Sequence, residues 1–495
     1  MPKQSTTTKS TTEGRVERAI EGMVAFPGAE SPSSFSDIPV YGAPARIGRF
    51  IPFVEEMGGP VESQASQMQA MVTGATVIRF HQAAKRKGVS TLCSAGFKVA
   101  SVTDFQRTGL PEELEADQEA IYFERFGIAI IKASDPVKSL SIIGSNPNVA
   151  SHRPERIYRA LGMPRPPEHT QMAGGKTSAS RDYLRGYKAG VSALIDNFLA
   201  KGTNDLQFAA ESSFDESALT WGLQATDAAA SSFSGTGIRV AILDTGLDLN
   251  HPDFSRRSIT SQSFIAGEQV QDGNGHGTHT AGTACGPLRP ASLPRYGIAY
   301  DAEIVIAKVL SNTGFGIDRT IIGGMNWALD QKCDIISMSL GAEVQRGEAF
   351  IDDYEQIGQV CLDSGCLVVA AGGNDSKRPG FIAAVNSPAN CPSILAVAAV
   401  DNRMQVAAFS AGSVNSGQSI DLAAPGVDVL SSWLGGYRRL HGTSMAAAHV
   451  AGIAALFAAS DKRNRGHVLW NLILQRVKAL ALPATDIGRG FIQAP

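Results

Sequence analysis

Residues 238–246 read IRVAILDTG, an uninterrupted apolar run that ends in an aspartate, a threonine and a glycine. Three later stretches carry similar apolar runs: AEIVIAKVL (302–310), CDIISMSLG (333–341) and CLVVAAGG (366–373). Helical stretches lie between them: RTIIGGMNWALDQK (319–332) and DDYEQIGQVCLDSG (352–365). Apolar runs that alternate with helices predict a parallel sheet buried on both faces. We therefore expect an α/β domain whose functional site lies beyond the carboxyl ends of its strands.

The bulk composition is that of a globular protein. The chain has 495 residues, of which 43% are hydrophobic and 18% charged, and its formal net charge is −3. These values exclude a fibrous chain and give no reason to expect a nucleic-acid partner. The first residues, MPKQSTTTKSTT, are polar, and no apolar signal-peptide core follows them. The most apolar later stretch, Ala446–Ala459, is too short for a bilayer, which needs about 20 residues, so no membrane partner is expected.

The cysteines bear on the compartment in which the protein works. Six are scattered along the chain, with no CxxC pair and no zinc-type spacing. A low cysteine density in a long chain without an export signal favours reduced thiols. We therefore expect a cytoplasmic protein.

Four polar residues lie where apolar runs end or helices begin. Asp244 closes IRVAILD, Asn374 follows the two glycines after CLVVAA, and His276 lies in DGNGHGTHTAG. Ser444 precedes an alanine-rich run in HGTSMAAAHVAG (441–452). Taken singly, each has an ordinary explanation as a turn residue or helix cap. His276 and His279 could also bind a metal, but no further ligand set completes such a site, so no metal is expected.

Taken together, the four residues supply the roles of Ser–His–Asp catalysis. His276 would take the proton of Ser444, while Asp244 fixes the histidine tautomer and stabilises the imidazolium. The amide of Asn374 and the backbone N–H of Ser444 would stabilise the oxyanion. The positive end of the helix that follows Ser444 would add to this stabilisation.

Four segments of the chain resemble the subtilisin-like serine proteases, in that family's order. They are AILDTG with HPDF (251–254), GHGTHTAGTA (275–284), SLG (339–341) with AAGGND (370–375), and HGTSMAAAHVAG. The resemblance covers residues 220–495 and implies a three-layer parallel sheet of subtilisin type and serine endopeptidase activity. By resemblance, Asp244, His276 and Ser444 form the triad, and Asn374 supplies the oxyanion amide.

The resemblance also implies that a peptide or protein substrate lies extended between two backbone segments. The matching stretches are Gly314–Phe315–Gly316 and Ser339–Leu340–Gly341. Main-chain hydrogen bonds would hold the peptide while side-chain pockets select it. The binding residues are therefore Gly314, Gly316, Ser339, Leu340, Gly341 and, at a pocket wall, Gly372.

Three positions depart from the family pattern. Ala448 stands where proline is usual, which should cost little inside a helix. Gly372 replaces a common alanine and predicts room for a larger substrate side chain. The loop Gly286–Gly297 lacks the asparagine-bearing calcium loop of secreted members, and Asp253 alone cannot supply the 6–8 oxygen ligands of calcium. We expect no required cofactor; calcium is possible, but the sequence does not support it.

The chain is predicted to have four parts. They are a loose extension (1–74), a propeptide-like α+β domain (75–161), a linker with an amphipathic helix (162–204) and the catalytic domain (205–495). The α+β domain is predicted to contain a strand at 91–104, a helix from Pro111 through 126, a strand from Gly127, a short helix at 136–146 and a strand from Val149.

The end of the α+β domain, NPNVASHRPERIYRAL (146–161), resembles the end of the propeptide of this family. The resemblance implies a domain that templates folding and acts as an intramolecular inhibitor, with a tail that blocks the cleft. It further implies a zymogen that cuts itself between residues 161 and 220. The alternative is an unrelated accessory or partner-binding domain.

Other functions compete with the protease. Asp244-Thr-Gly and Asp363-Ser-Gly mimic the paired aspartates of aspartic proteases, although Asp363 ends a helical stretch. An esterase is disfavoured because no G-x-S-x-G elbow surrounds Ser444. A catalytically silent subtilisin-like binding scaffold would lack a catalytic group, and this chain lacks none.

Overall fold

The computed structural model describes residues 72–101, 110, 119–132, 143–162, 214–291 and 294–495. The predicted extension lies outside the described residues up to residue 71, and the predicted linker and amphipathic helix lie outside them beyond residue 162. The predicted short helix at 136–146 lies outside them up to residue 142.

The described residues of 72–162, called the N-terminal unit, include a small sheet and a short helix. The strands are β1 (Val72–Phe80), β2 (Lys98–Ser101), β3 (Glu119–Phe123), β4 (Ile128–Lys132) and β5 (Val149–Ala160). A 3₁₀ segment, Gln82–Lys87, leads into helix α1 (Gly88–Ser94). The strand order is β5-β1-β4-β3-β2, and the pairs are antiparallel except for β2 with β3.

Two predicted elements of the N-terminal unit are wrong. The predicted strand at 91–104 is helical at its start and becomes extended only at Lys98. The predicted helix at 111–126 lies outside the described residues up to residue 118, and its next residues form strand β3 instead of a helix. Ala120 and Tyr122 of β3 pack in one apolar cluster while Ile121 and Phe123 pack in another. Burial on both faces therefore outweighs the helical spacing of the charged residues nearby.

The described residues of 214–495, the predicted catalytic domain, are built around a nine-stranded sheet. Its strands are β6 (Arg239–Asp244), β7 (Ile259–Ser263), β8 (Glu303–Lys308), β10 (Ile335–Met338), β12 (Leu367–Ala371), β13 (Leu395–Val400), β14 (Leu422–Pro425), β17 (Val477–Lys478) and β18 (Phe491–Ile492). The order is β17-β18-β14-β13-β12-β10-β6-β8-β7. All pairs are parallel except β17 with β18, so the predicted parallel sheet is confirmed.

Four short strands lie outside this sheet: β9 (Phe315–Ile317), β11 (Leu340–Gly341), and the hairpin β15 (Val429–Trp433) with β16 (Gly436–Leu440). The described helices of this domain are α2 (Trp221–Ala225), α3 (His276–Cys285), α4 (Asp318–Asp330), α5 (Asp352–Asp363), α6 (Thr443–Ser460), α7 (Gly466–Gln475) and α8 (Ala484–Ile487).

Helices cover both faces of the nine-stranded sheet. Val240 and Ile242 of β6 belong to the apolar cluster that contains α3 and α6. Ala241 and Leu243, the alternate residues, belong to the cluster that contains α4 and α5. Because successive side chains of a strand point to opposite faces, this division explains why the predicted strands are apolar at every position. The three-layer α/β prediction is confirmed.

Helix α6 runs through the middle of the catalytic domain. Among the described helices it alone is long and apolar enough to cross a membrane, with a mean hydropathy of 1.4 over 18 residues. However, 89% of that window is buried inside the protein. Its apolar character is explained by packing against α3, β12 and β13.

Strand β5 connects the two parts of the molecule. Its first half pairs with β1, whereas its second half pairs antiparallel with β9 and β11 of the catalytic domain. One face of the N-terminal sheet also shares an apolar cluster with α4 and α5. The last residues of the N-terminal unit are therefore held as an additional strand on the catalytic domain.

Candidate active site

The aspartate and the histidine meet at the carboxyl edge of the sheet. Asp244 is the last residue of β6, and His276 is the first residue of α3. His276 Nδ1 donates to Asp244 Oδ1 at 2.8 Å, and the same oxygen accepts the backbone N–H of Thr245 at 2.7 Å. The second oxygen, Oδ2, accepts from Thr280 at 3.2 Å. This arrangement places the Nδ1 proton of His276 and directs Nε2 away from the carboxylate.

The histidines differ in their pKa. Burial alone would lower the pKa of His276, but the charge of Asp244 and its hydrogen bond outweigh burial, and the pKa lies above the ordinary 6.5. Burial lowers the pKa of His279 to about 3 and that of His449 to about 4. His279 donates to the carbonyls of Val429 and Arg438, so it supports the β15–β16 hairpin as a neutral side chain.

The serine lies at the start of helix α6. Ser444 is its second residue and is fully buried, and Ser339 Oγ donates to its carbonyl oxygen at 3.0 Å. Gly442 precedes the helix at a closely packed position. A Cβ at Gly442 would lie 3.1 Å from Asn374 Nδ2 and 3.3 Å from the carbonyl oxygen of Leu161.

Both the serine and the histidine contact one carbonyl oxygen of the N-terminal unit. Ser444 Oγ donates to the carbonyl oxygen of Leu161, and His276 Nε2 donates to it at 2.9 Å. The two side chains converge on this oxygen instead of bonding directly to each other. Because His276 donates through both ring nitrogens, this arrangement corresponds to the imidazolium, in agreement with its raised pKa.

The predicted oxyanion residue also lies at this point. Asn374 Oδ1 accepts from the backbone N–H and the hydroxyl of Thr443, at 2.9 and 2.8 Å. Its amide nitrogen, Nδ2, is buried and has no hydrogen-bond partner within the described residues. A buried donor without a partner costs free energy. Asn374 Nδ2 is therefore a donor that is available to an oxygen beside the Leu161–Gly162 peptide.

The predicted substrate-binding segments hold the tail of the N-terminal unit. The backbone N–H of Ala160 donates to Gly314 O at 2.9 Å, and that of Leu161 donates to Ser339 O at 3.1 Å. Strand β5 lies in register with both segments, with Tyr158 opposite Gly316, Ala160 opposite Leu340 and Arg159 opposite Gly341. The two segments therefore bind an extended chain on both of its edges.

The structure gives Gly372 a different explanation from the predicted larger pocket. A Cβ at Gly372 would lie 2.7 Å from Ile420 Cδ1 and 2.9 Å from Val397 O. A glycine at this position therefore allows Ile420 and Val397 to pack closely against its backbone. Gly341 instead faces the tail, since a Cβ there would lie 3.1 Å from Leu161 Cδ1.

The residues around Asp253 do not fit a calcium ion. Asp253 Oδ2 accepts from the hydroxyls of Tyr296 and Tyr437, at 2.6 and 3.0 Å, and Oδ1 accepts from the backbone N–H of Ala291. These are hydrogen-bond donors, whereas calcium requires 6–8 oxygen ligands. Within the described ranges no group of three His, Cys, Asp or Glu side chains could hold a metal.

The paired-aspartate alternative is wrong. Asp244 is buried against His276, whereas Asp363 ends α5 with its side chain 69% exposed and contacts His467 at 3.3 Å. The two carboxylates occupy separate environments and do not share a proton.

Asp244, His276, Ser444 and the Asn374 amide lie together at the carboxyl edge of a largely parallel sheet, and these are the groups that Ser–His–Asp hydrolysis would use. The sequence model of the subtilase family matches residues 235–488, more than half of the chain. The chain belongs to the subtilase family.

Individual relatives agree with this assignment. Subtilisin E of Bacillus subtilis (strain 168) is 37% identical over 262 residues, which are 52% of this chain and 63% of that protein. Subtilisin of Bacillus pumilus is 36% identical over 262 residues, 88% of its length. The major intracellular serine protease of Bacillus subtilis (strain 168) is 35% identical over 283 residues, 85% of its length. The matched region thus spans less than two thirds of subtilisin E.

Sequence reasoning missed the charged contacts of the tail. Arg159 Nη2 bonds to Asp375 at 2.5 Å, and the buried Glu155 pairs with Arg319. Two signals were available: an acidic residue directly follows Asn374, and charged residues recur along SHRPERIYRA. Neither signal names its partner, because the contacts join residues more than 160 positions apart.

Proposed function

We propose that this protein is a serine endopeptidase that cleaves peptide bonds through Asp244, His276 and Ser444. One observation carries the proposal: an extended peptide lies in the cleft with the carbonyl of Leu161 against both Ser444 Oγ and His276 Nε2. The chain itself thereby provides an example of how a substrate would bind.

The reaction follows from these positions. Neutral His276 accepts the Ser444 proton at Nε2 as Oγ attacks the carbonyl carbon of the substrate. The negative charge that develops on the carbonyl oxygen is stabilised by Asn374 Nδ2, the Ser444 N–H and the N-terminal end of α6. His276 then gives its proton to the leaving amine, and water hydrolyses the resulting acyl-enzyme. For this attack the oxygen must turn from His276 toward Asn374.

We further propose that the protein is made as a self-processed zymogen, cut between Leu161 and Gly162. Before the cut, the N-terminal unit acts as an inhibitor, because its tail fills the cleft and prevents other peptides from binding there. Gly162 suits the position after the bond: a Cβ there would lie 3.0 Å from His441 O and 3.9 Å from His276 Nε2.

A fluorophosphonate probe tests the catalytic proposal against a binding scaffold with no activity. We expect covalent labelling of Ser444 in the processed chain and none in Ser444→Ala. Ser364→Ala is the matched control, because it removes an exposed serine hydroxyl at the end of α5 and leaves the nucleophile. Absence of labelling in folded protein that has released its N-terminal unit would favour the scaffold.

We propose that the fold requires no calcium. The two tyrosine hydroxyls that bond to Asp253 support this proposal. Thermal unfolding should give the same midpoint in excess calcium and in excess chelator. A midpoint that rises by several degrees with calcium would contradict it.

We also propose that the protein works in a reducing compartment, the cytoplasm. The support is that all six cysteines are free thiols and five of them are buried. The protein is isolated from its native cells in the presence of a thiol-blocking reagent and then denatured. Counting its thiols should find six blocked cysteines and no disulfide.

A further inference from the structure

Asp375 occupies a distinctive position beside the reacting bond. It directly follows Asn374, and its side chain is only 2% exposed. Its Oδ1 accepts from Arg159 Nη2 at 2.5 Å, and its Oδ2 accepts from Asn386 Nδ2 at 3.0 Å. The carboxylate is therefore positioned by a buried amide and faces the third residue before the Leu161–Gly162 bond.

The extended backbone explains why Arg159 reaches this carboxylate. Side chains alternate along a strand, so Arg159 and Leu161 point to the same side. Asn386 lies between the partners of these two side chains. It donates to Asp375, which binds Arg159, and a Cβ at Gly341 would lie 3.1 Å from both Asn386 Cβ and Leu161 Cδ1. The subsites for the first and third residues before the bond therefore share one wall.

From this geometry we propose that Asp375 determines specificity, selecting substrates with an arginine three residues before the cleaved bond. The inference rests on the proposed endopeptidase function. A substrate held by the backbone of β9 and β11 takes the register of β5, so its corresponding side chain meets the same carboxylate. A bond between a guanidinium and a largely buried carboxylate is charge-assisted and stronger than a neutral one.

Arg156, another arginine of β5, pairs with a carboxylate that is more exposed than that of Asp375. Arg156 Nη2 lies 2.6 Å from Glu348 Oε1, but these side chains are 32% and 30% exposed. Ion pairs that are accessible to water contribute little. We therefore assign the selection to Asp375, and a preference for arginine six residues before the bond should be small.

Two fluorogenic peptides test this assignment with the self-processed protein. One carries Tyr-Arg-Ala-Leu before the reporter, copying residues 158–161, and the other carries Tyr-Gln-Ala-Leu. Active sites are counted with the fluorophosphonate. We expect kcat/KM to be about tenfold higher for the arginine peptide, and the difference to lie mainly in KM.

Substitution of Asp375 tests whether its carboxylate is the source of the preference for arginine. Asp375→Asn should bring the ratio between the two peptides close to one, while Asp363→Asn, an equal change of charge at the exposed end of α5, should keep it near ten. Equal cleavage of both peptides by the unsubstituted protein, or a ratio unchanged in Asp375→Asn, would overturn the assignment. If neither peptide is cleaved and no serine is labelled, the proposed function itself fails, and this inference fails with it.

Discussion

The catalytic domain and the N-terminal unit obtain their structure in different ways. The catalytic domain covers both faces of its sheet with its own helices, so two apolar clusters belong to that sheet. The N-terminal unit covers one face with α1, but its other face shares a cluster with α4 and α5. The difference suggests that the catalytic domain stabilises its own fold, whereas the N-terminal unit depends on the surface to which it binds.

The two regions also differ in the charges that they bring to their contact. Arg79, Arg125, Arg153, Arg156 and Arg159 of the N-terminal unit each pair with an acidic residue of the catalytic domain. Among the described residues, Glu155 and Arg319 form a pair of the opposite polarity, and both side chains are at most 2% exposed. The contact between the units is therefore ionic as well as apolar, and its pairs range from buried to exposed.

The largest expected effect comes from breaking the buried pair. Glu155→Ala, made in the uncleaved Ser444→Ala chain, leaves the Arg319 guanidinium buried without its carboxylate, at a cost of about 3–5 kcal/mol. Amide hydrogen exchange of residues 72–162 should accelerate by about 10²–10³, while exchange in the catalytic strands should change little.

The exposed pair provides the matched control for that experiment. Arg125 and Asp330 lie 2.7 Å apart with side chains 36% and 40% exposed. Arg125→Ala should therefore cost only about 0–1 kcal/mol. Equal effects of the two substitutions would contradict the distinction between buried and exposed contacts.

The second prediction acts on the catalytic domain alone. Asn374→Ala should lower kcat by about 10²–10³ with little change in KM, a magnitude taken from an oxyanion asparagine of subtilisin itself. Hydrogen exchange of the N-terminal unit should stay as it was. A loss that appears mainly in KM would show that the amide binds substrate in its ground state.

The third prediction concerns pH. Activity requires neutral His276, so kcat/KM should fall as the pH drops, and the raised pKa places this midpoint above 6.5. His279 and His449, with pKa values of about 3 and 4, do not titrate in this range. Each unit of pH below the midpoint should cost about tenfold in rate.

Asp244→Asn sharpens this test, because it removes the carboxylate that raises the pKa. The residual activity of this variant should have its midpoint below that of the unsubstituted protein. An unshifted midpoint would contradict the role assigned to Asp244. Circular dichroism across the same pH range distinguishes titration from unfolding.

Sequence patterns predicted the secondary structure of the catalytic domain better than that of the N-terminal unit. In the catalytic domain each predicted strand is apolar throughout, because helices of the same domain cover both faces of the sheet. The apolar pattern of these strands therefore predicts them correctly. Strand β3 of the N-terminal unit is also buried on both faces, but α4 covers one of them from more than 190 residues away. No local pattern reports such distant burial, so the charged residues before EAIYF favoured a helix.

In the candidate site, too, local sequence patterns do not predict contacts between distant parts of the chain. Asp244, His276, Asn374 and Ser444 could be predicted because strand ends and helix starts position them. The contact between Arg159 and Asp375 could not, since it depends on the register in which β5 binds the cleft.

Self-cleavage by Ser444 is tested by the intact mass and N-terminal sequence of the purified chain, compared with those of Ser444→Ala. The unsubstituted chain should yield a large fragment beginning at Gly162, while Ser444→Ala remains a single uncut polypeptide. Equal processing of both chains, or a first cut at another bond, would contradict the proposed self-cleavage at Ser444.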